Sequence, residues 1–96
     1  IIEGNFQDDE LNGYGKITYR TGEVWEGRFK DGQLHGIGKI IFVNRIIYEG
    51  EFKNNRLNGK GKKIFPDGKI KSGYFQNGKL NHFQNRKRDL STRNVK

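Results

Sequence analysis

The sequence contains no cysteine and no methionine, and only one proline and one tryptophan. Without cysteine, neither a disulfide framework nor a thiolate metal site can form. No apolar run is long enough to cross a bilayer, and no secretory signal is recognisable. Hydrophobic residues make up only 31% of the 96 residues, which favours a thin array over a two-layered globule. We therefore expect one small domain of an intracellular, cytoplasmic protein.

Glycine, by contrast, is abundant, and its spacing reveals an internal repeat. The chain has 14 glycines, and Gly4, Gly27, Gly50 and Gly73 follow one another at intervals of 23 residues. A phenylalanine stands two positions after each of these glycines, and a leucine five positions later keeps the same interval. Internal periods of this size indicate an array of one supersecondary unit.

Each unit has the pattern of a β-hairpin. In Trp25–Phe29, aromatic residues and a glycine alternate with charged residues, which is the period of two typical of a strand. Asp31-Gly32 follows and predicts a type I′ turn, in which both central residues have positive φ. The matching dipeptides in the other units are Asp8-Asp9, Asn54-Asn55 and Asn77-Gly78.

A second turn closes each unit. Phe65–Gly68 contains Pro66 and ends in glycine, as expected of a type I turn followed by a left-handed residue. Thr21-Gly22 is the counterpart in the first unit, but Arg45 takes the glycine position in the second. We therefore predict that the turn at Arg45 is strained or differently shaped.

The two-residue turns also predict which residues face each other across a hairpin. The predicted facing pairs are Phe29 and Leu34, Gly27 and Gly36, Trp25 and Gly38, and in the third unit Glu49 and Lys60. The ring of Trp25 would then cover the bare backbone of Gly38. We interpret the Gly-x-Gly pairs as such packing devices and not as a phosphate-binding loop, because no helix N-terminus follows them.

The stretch Tyr48–Gly68 resembles a known family. Its Tyr-x-Gly start, Gly-x-Gly middle and glycine-bearing turn are similar to the MORN repeat (membrane occupation and recognition nexus). The resemblance extends over residues 2–82 and decays in the fourth unit, where Lys71, Ser72 and His82 replace the aromatic residue, the glutamate and the first glycine. Such decay is typical of a terminal, capping repeat.

Period and resemblance together predict an all-β fold, a single-layer twisted antiparallel sheet of stacked 23-residue β-hairpins, open at its ends. The predicted array comprises residues 1–82, with units at about 2–22, 25–45, 48–68 and 71–82. Residues 83–96 form a basic tail, which we expect to be a cap or a disordered arm. Because the array starts in mid-hairpin, we also expect further repeats upstream in a longer chain.

One face of the predicted sheet carries most of the aromatic rings, and we expect it to bind a partner. With no second layer available, part of this face stays accessible, as protein-contact surfaces do. We expect most of its rings to stack on one another as the core of a curved ribbon, with the rim residues Trp25, Tyr48 and Phe65 left to receive a partner. The candidate groove residues are Tyr19, Trp25, Phe29, Phe42, Tyr48, Phe52 and Phe65. Aliphatic residues fall on the other, charged face, so self-association through that face remains open.

The resemblance implies a non-catalytic scaffold of the cytoskeletal, ciliary or junctional type, which holds a helix or an extended segment of another protein, or forms a homo-oligomer. The alternative that it implies is a peripheral membrane module that binds acidic phospholipids. Residues 28–81 carry twelve bases against four acids. The lysines that would serve this alternative, with the tail, are Lys60, Lys62, Lys63, Lys69 and Lys71. Nucleic acid is a weaker candidate, because the rings follow the repeat.

No constellation of residues predicts catalysis. His35 and His82 occupy repeat positions that hold asparagine or glycine in other units, so we expect them to be surface residues near turns. No Ser-His-Asp set and no metal-ligand cluster stands out from the repeat. We predict no enzymatic activity, no cofactor and no metal, although the piece is also compatible with an accessory region of a longer enzyme.

Overall fold

The computed structural model describes residues 1–81, which form one antiparallel sheet with its strands in chain order. The strands are β1 (Ile2–Gln7), β2 (Glu10–Thr18), β3 (Val24–Lys30), β4 (Gln33–Ile41), β5 (Ile47–Lys53), β6 (Arg56–Ile64), β7 (Ile70–Gln76) and β8 (Lys79–Leu80). All eight strands belong to this one sheet, so the described residues form a single layer. The predicted all-β, single-layer, open array of hairpins is confirmed. Within the described residues there is no helix long and apolar enough to span a bilayer.

The two-residue turns have the predicted conformation. Asp31 and Gly32 have φ of +50° and +80°, and Asn54 and Asn55 have φ of +51° and +70°. Asp8-Asp9 and Asn77-Gly78 show the same pair of positive values. Asparagine, aspartate and glycine are the residues that tolerate this region, which explains their recurrence at each hairpin tip.

The second class of turn is also uniform, which decides between the two alternatives predicted for the turn at Arg45 in favour of strain. In the turn at Arg45, Phe42 N–H donates to Ile46 O at 2.9 Å, and Arg45 N–H donates to Phe42 O at 2.9 Å. The other two units form the same pair of bonds at 2.8–2.9 Å. The turn is therefore not differently shaped; Arg45 adopts the glycine conformation, with φ of +73°.

The register agrees with the prediction next to the hairpin tips and departs from it further along the strands. Phe29 faces Leu34 as expected, but the pairing shifts between Gly27 and Phe29. The observed pairs are Gly27 with Gly38, Trp25 with Ile40, Gly50 with Gly61, and Glu49 with Lys62. The predicted pairs of Gly27 with Gly36, Trp25 with Gly38 and Glu49 with Lys60 are wrong. A bulge explains the shift, because His35–Ile37 of β4 lie opposite Arg28 alone.

This shift aligns seven glycines into one row across the sheet. The row consists of Gly4, Gly15, Gly27, Gly38, Gly50, Gly61 and Gly73, each paired with the next. A Cβ on Gly27 would lie 2.4 Å from Gly38 Cα, and Gly27 has φ of +140°. The two backbones therefore approach too closely for any side chain at this point.

The strand glycines are covered by side chains other than the predicted Trp25 ring. A Cβ on Gly38 would meet Leu34 Cδ2 at 3.0 Å and Phe52 Cδ1 at 3.4 Å. The leucine and phenylalanine near the hairpin tips therefore cover the glycine row, while Trp25 lies one pair further along, opposite Ile40.

The core lies on one face of the sheet, which we call the aromatic face. Its buried members are Leu11, Phe29, Leu34, Ile40, Phe52, Leu57 and Phe75. The opposite face, here the charged face, carries Glu26, Lys39, Glu49 and Lys62 in successive strands. Since side chains alternate between faces along each strand, the hairpin pattern alone separates the two surfaces.

Candidate binding surface

Pairs of rings line the aromatic face at the ends of the strands far from the two-residue turns. Tyr19 and Phe42 are the first residues after β2 and β4, and the turn brings each beside the second residue of the next strand. Tyr19 meets Trp25 with centroids 6.2 Å apart and planes at 70°, and Phe42 meets Tyr48 at 4.7 Å and 67°. We call these two pairs the ring clamps. Edge-to-face contacts of this kind stabilise each pair.

The ring clamps remain open to solvent on their outer side. Tyr19 is 43% exposed, and Trp25, Phe42 and Tyr48 are half-buried. The indole N–H of Trp25 donates to Glu23 Oε1 at 2.6 Å, so the ring position is held by a carboxylate from the adjoining turn. A partner can therefore contact the rings without having to satisfy this donor.

At the corresponding turn between β6 and β7, the first ring of a clamp is present as Phe65, but Lys71 takes the position of the second ring. Phe65 has Lys71 beside it, with the ammonium 5.9 Å from the ring centroid. Lys63 lies directly opposite Lys71; its ammonium is 4.6 Å from the Tyr48 centroid and donates to Gly78 O at 3.1 Å. Like charges in facing positions repel each other, so an anion placed between Lys63 and Lys71 would be stabilised.

An open depression of about 660 Å³ lies over these residues. Its lining includes Tyr48, Lys63, Phe65, Lys71 and Lys79, and it contains no acidic side chain. The depression continues the row of ring clamps towards the β7 end of the sheet. The aromatic face thus changes along its length from rings alone to rings with lysine.

The structure brings five of the seven candidate groove residues to the accessible rim. These are Tyr19, Trp25, Phe42, Tyr48 and Phe65. Phe29 and Phe52 are each only 3% exposed, because they pack over the glycine row. They belong to the core, in agreement with the expectation that most rings stack as the core of the ribbon, so their side chains are not accessible to a partner.

The five candidate lipid-contacting lysines do not share one surface. Lys63 and Lys71 project on the aromatic face, beside the rings described above. Lys60 and Lys62 lie on the charged face, where Lys60 faces Tyr74 and Lys62 Nζ is 3.5 Å from Glu49 Oε1. Lys69 lies in the turn before β7. A flat surface can therefore contact only part of this set at a time.

A ladder of alternating charge crosses the other side of the sheet. Its facing residues run in the order Glu3, Lys16, Glu26, Lys39, Glu49, Lys62 and Ser72. Sequence reasoning missed this ladder, because the predicted register paired Glu49 with Lys60. The signal was present in the recurrence of the glutamate and of a lysine thirteen positions later, but only the bulge aligns the two.

Metal-ligating chemistry has no support in residues 1–81, where no group of three histidine, cysteine or acidic side chains lies close enough to hold an ion. His35 is half-buried and lies within the bulge of β4. His82 and the basic tail at 83–96 lie outside the described residues.

Comparison with models of protein families finds three successive matches to the MORN repeat, at residues 3–24, 25–45 and 48–70. Each match spans one hairpin together with the turn that follows it. No curated protein matches the chain.

Proposed function

Because this chain belongs to the MORN repeat family, whose repeats are non-catalytic modules that generally bind proteins or membranes, we propose that it is a protein-binding scaffold. A helical or extended segment of a partner lies along the aromatic face, across the ring clamps and into the depression at Lys63 and Lys71. The observation that carries this proposal is the regular row of accessible rings on a face that nothing in residues 1–81 covers.

The spacing of the clamps suits a regular partner. Successive clamps lie two strands apart, which is about 9.6 Å at the usual strand separation. A helix advances about 10.5 Å in seven residues. A partner helix with an apolar side chain at every seventh position therefore presents one such side chain to each clamp, in the manner of helix-in-groove recognition.

Lys63 and Lys71 determine which part of the partner segment lies at the β7 end of the aromatic face. Beyond Tyr48 the rim holds Lys63 and Lys71 instead of two more apolar side chains. We expect the partner segment to carry its apolar residues against the clamps and a carboxylate against these lysines. Mixed aromatic and charged anchors of this kind dominate the energetics of many interfaces.

Capture of partners from the native source tests this proposal. Trp25→Ala with Tyr48→Ala removes one ring from each clamp, and we expect proteins held by the wild-type chain to be lost while β-sheet circular dichroism persists. Ile37→Ala is the matched control, because Ile37 is 58% exposed but lies outside the aromatic face. If quantitative mass spectrometry shows the same proteins on both variants, the aromatic face is not the binding surface.

A second candidate function is docking to an acidic membrane. Its support is the corner of the sheet where Lys63, Lys69 and Lys71 adjoin the half-exposed ring of Phe65. Basic residues near an anionic surface each contribute about 1 kcal/mol. Flotation with vesicles containing 30% phosphatidylserine, compared at low and high salt, tests it; salt-sensitive binding that Lys71→Glu abolishes supports it, and absence of binding excludes it.

A further inference from the structure

Ser72 interrupts the charge ladder at its last described position. Every strand from β1 to β6 contributes a charged residue of alternating sign, and β7 contributes Ser72. In the repeat, Ser72 stands where Glu3, Glu26 and Glu49 stand. Lys62 therefore has a glutamate on one side only, whereas Lys16 and Lys39 each lie between two glutamates.

The hydroxyl of Ser72 is accessible. The residue is exposed, and it is the only serine among residues 1–81. Strand β8 pairs only with Phe75 and Gln76, and Asn81 N–H donates to Tyr74 O. Within the described part of the chain, no strand pairs with the outer edge of Ile70–Gly73. Within residues 1–81 this segment is therefore an extended edge of the sheet, and sheet edges open locally at a lower free energy than central strands do.

Basic residues precede this serine in the sequence. Lys71 lies immediately before it and Lys69 three positions before it, and Lys62 faces it across the sheet. No acidic residue lies between Asp67 and Ser72. The segment that leads up to Ser72 is therefore basic, while the depression that Ser72 shares with Lys60 and Lys62 also contains Glu49 and Glu51.

We propose that Ser72 is a phosphorylation site for a serine/threonine kinase that selects basic residues ahead of its acceptor, and that the phosphate completes the charge ladder. The γ-phosphoryl group of ATP is transferred to Ser72 Oγ: the bond from the γ-phosphorus to the bridging oxygen breaks, the bond to Oγ forms, ADP leaves, and the hydroxyl proton passes to the catalytic base of the kinase.

The chemical consequence follows from the register. A phosphoserine carries a charge of about −1.5 to −2 at neutral pH and accepts charge-assisted hydrogen bonds. Directly facing residues in an antiparallel pair have Cβ atoms about 5 Å apart, within reach of the Lys62 ammonium. The modification thus gives Lys62 a second negative neighbour, as Lys16 and Lys39 already have. It stabilises the pairing of β7 with β6.

Directed incorporation of phosphoserine at position 72 tests whether the phosphate stabilises the sheet through Lys62. At 20 mM salt we expect the melting temperature of the full chain to rise by about 2–6 °C, and the rise to fall by more than half at 1 M salt. Lys62→Gln should abolish the rise. Lys39→Gln is the matched control: it removes a ladder lysine three strands from Ser72, about 14 Å away, and should leave the rise intact.

Treatment with kinases tests whether Ser72 is a substrate for phosphorylation. The chain with Ser91→Ala and Thr92→Ala, which removes the hydroxyls of the tail, is incubated with ATP and purified catalytic domains of protein kinases A and C. We expect mass spectrometry to place one phosphate on Ser72, and Ser72→Ala to acquire none there. The proposal is overturned if neither kinase modifies Ser72, if phosphoserine leaves the melting temperature unchanged, or if the rise survives Lys62→Gln.

Discussion

Substitution of Gly27 by alanine tests the claim that the glycine row exists for close backbone approach. An alanine Cβ would lie 2.4 Å from Gly38 Cα and 2.5 Å from Ile37 O. Both neighbours are backbone atoms, so no side-chain rotation relieves the clash, and β3 must separate from β4. The φ of +140° adds a conformational cost of about 1–3 kcal/mol for a residue with a side chain.

The chain offers a control that isolates the conformational part. Gly68 has φ of +93°, and an added Cβ would meet nothing within 4 Å. Gly68→Ala therefore carries only the cost of a left-handed residue, about 1–2 kcal/mol. Gly27→Ala carries the steric part as well, and we expect a loss of at least about 4 kcal/mol, which is exceptional for a single substitution.

Urea unfolding followed by fluorescence provides the measurement, because Trp25 is the only tryptophan and lies on β3 beside the row. A domain of 81 described residues has a total stability of about 4–12 kcal/mol, so Gly27→Ala is expected to abolish or nearly abolish the cooperative transition. If the two variants lose stability equally, the steric reasoning is refuted and only the φ requirement remains.

Three further predictions concern single residues. Arg45→Gly should raise the free energy of unfolding by up to about 1 kcal/mol, because it relieves a left-handed arginine in a turn whose hydrogen bonds are already formed; the urea midpoint measures this. Leu34→Ala and Leu57→Ala should each cost about 2–5 kcal/mol in thermal unfolding, because both side chains are fully buried. Glu49→Lys should cost about 1 kcal/mol at low salt, because it replaces the partner of Lys62 by a like charge.

Each of these predictions has an outcome that contradicts it. An unchanged or lower urea midpoint for Arg45→Gly would show that the arginine conformation is not strained. A loss below 1 kcal/mol for either leucine variant would mean that the cover over the glycine row does not stabilise the sheet. Persistence of the Glu49→Lys loss at 1 M salt would exclude a charge effect, since salt screens exposed pairs.

Local rules in the sequence were sufficient for the fold class and for the two-residue turns. Asp31-Gly32 and Asn54-Asn55 adopt positive φ because few other dipeptides tolerate that conformation, and the interval between Gly27 and Gly50 repeats one hairpin in the sheet. These features depend on neighbours within a few residues, so they can be recognised without knowing how the strands pack.

The candidate site could be predicted only in part. The accessible rings at Trp25 and Tyr48 follow from the strand period, but the burial of Phe29 and Phe52 does not. Burial depends on which side chains cover the glycine row, and Leu34 reaches that row only because of the bulge. The same period places aromatic residues at both kinds of position, so sequence spacing alone does not distinguish core from rim.

The sequence by itself determined the repeat length, the hairpin tips and the alternation that separates an aromatic face from a charged one. Only the tertiary structure decided the register beyond the tips. Two extra residues in β4 and in β6 shift every pair past the phenylalanine, which brings Gly27 against Gly38 and Glu49 against Lys62. The physical reason is that a bulge forms where two backbones come too close for side chains, and that approach exists only once neighbouring strands have paired.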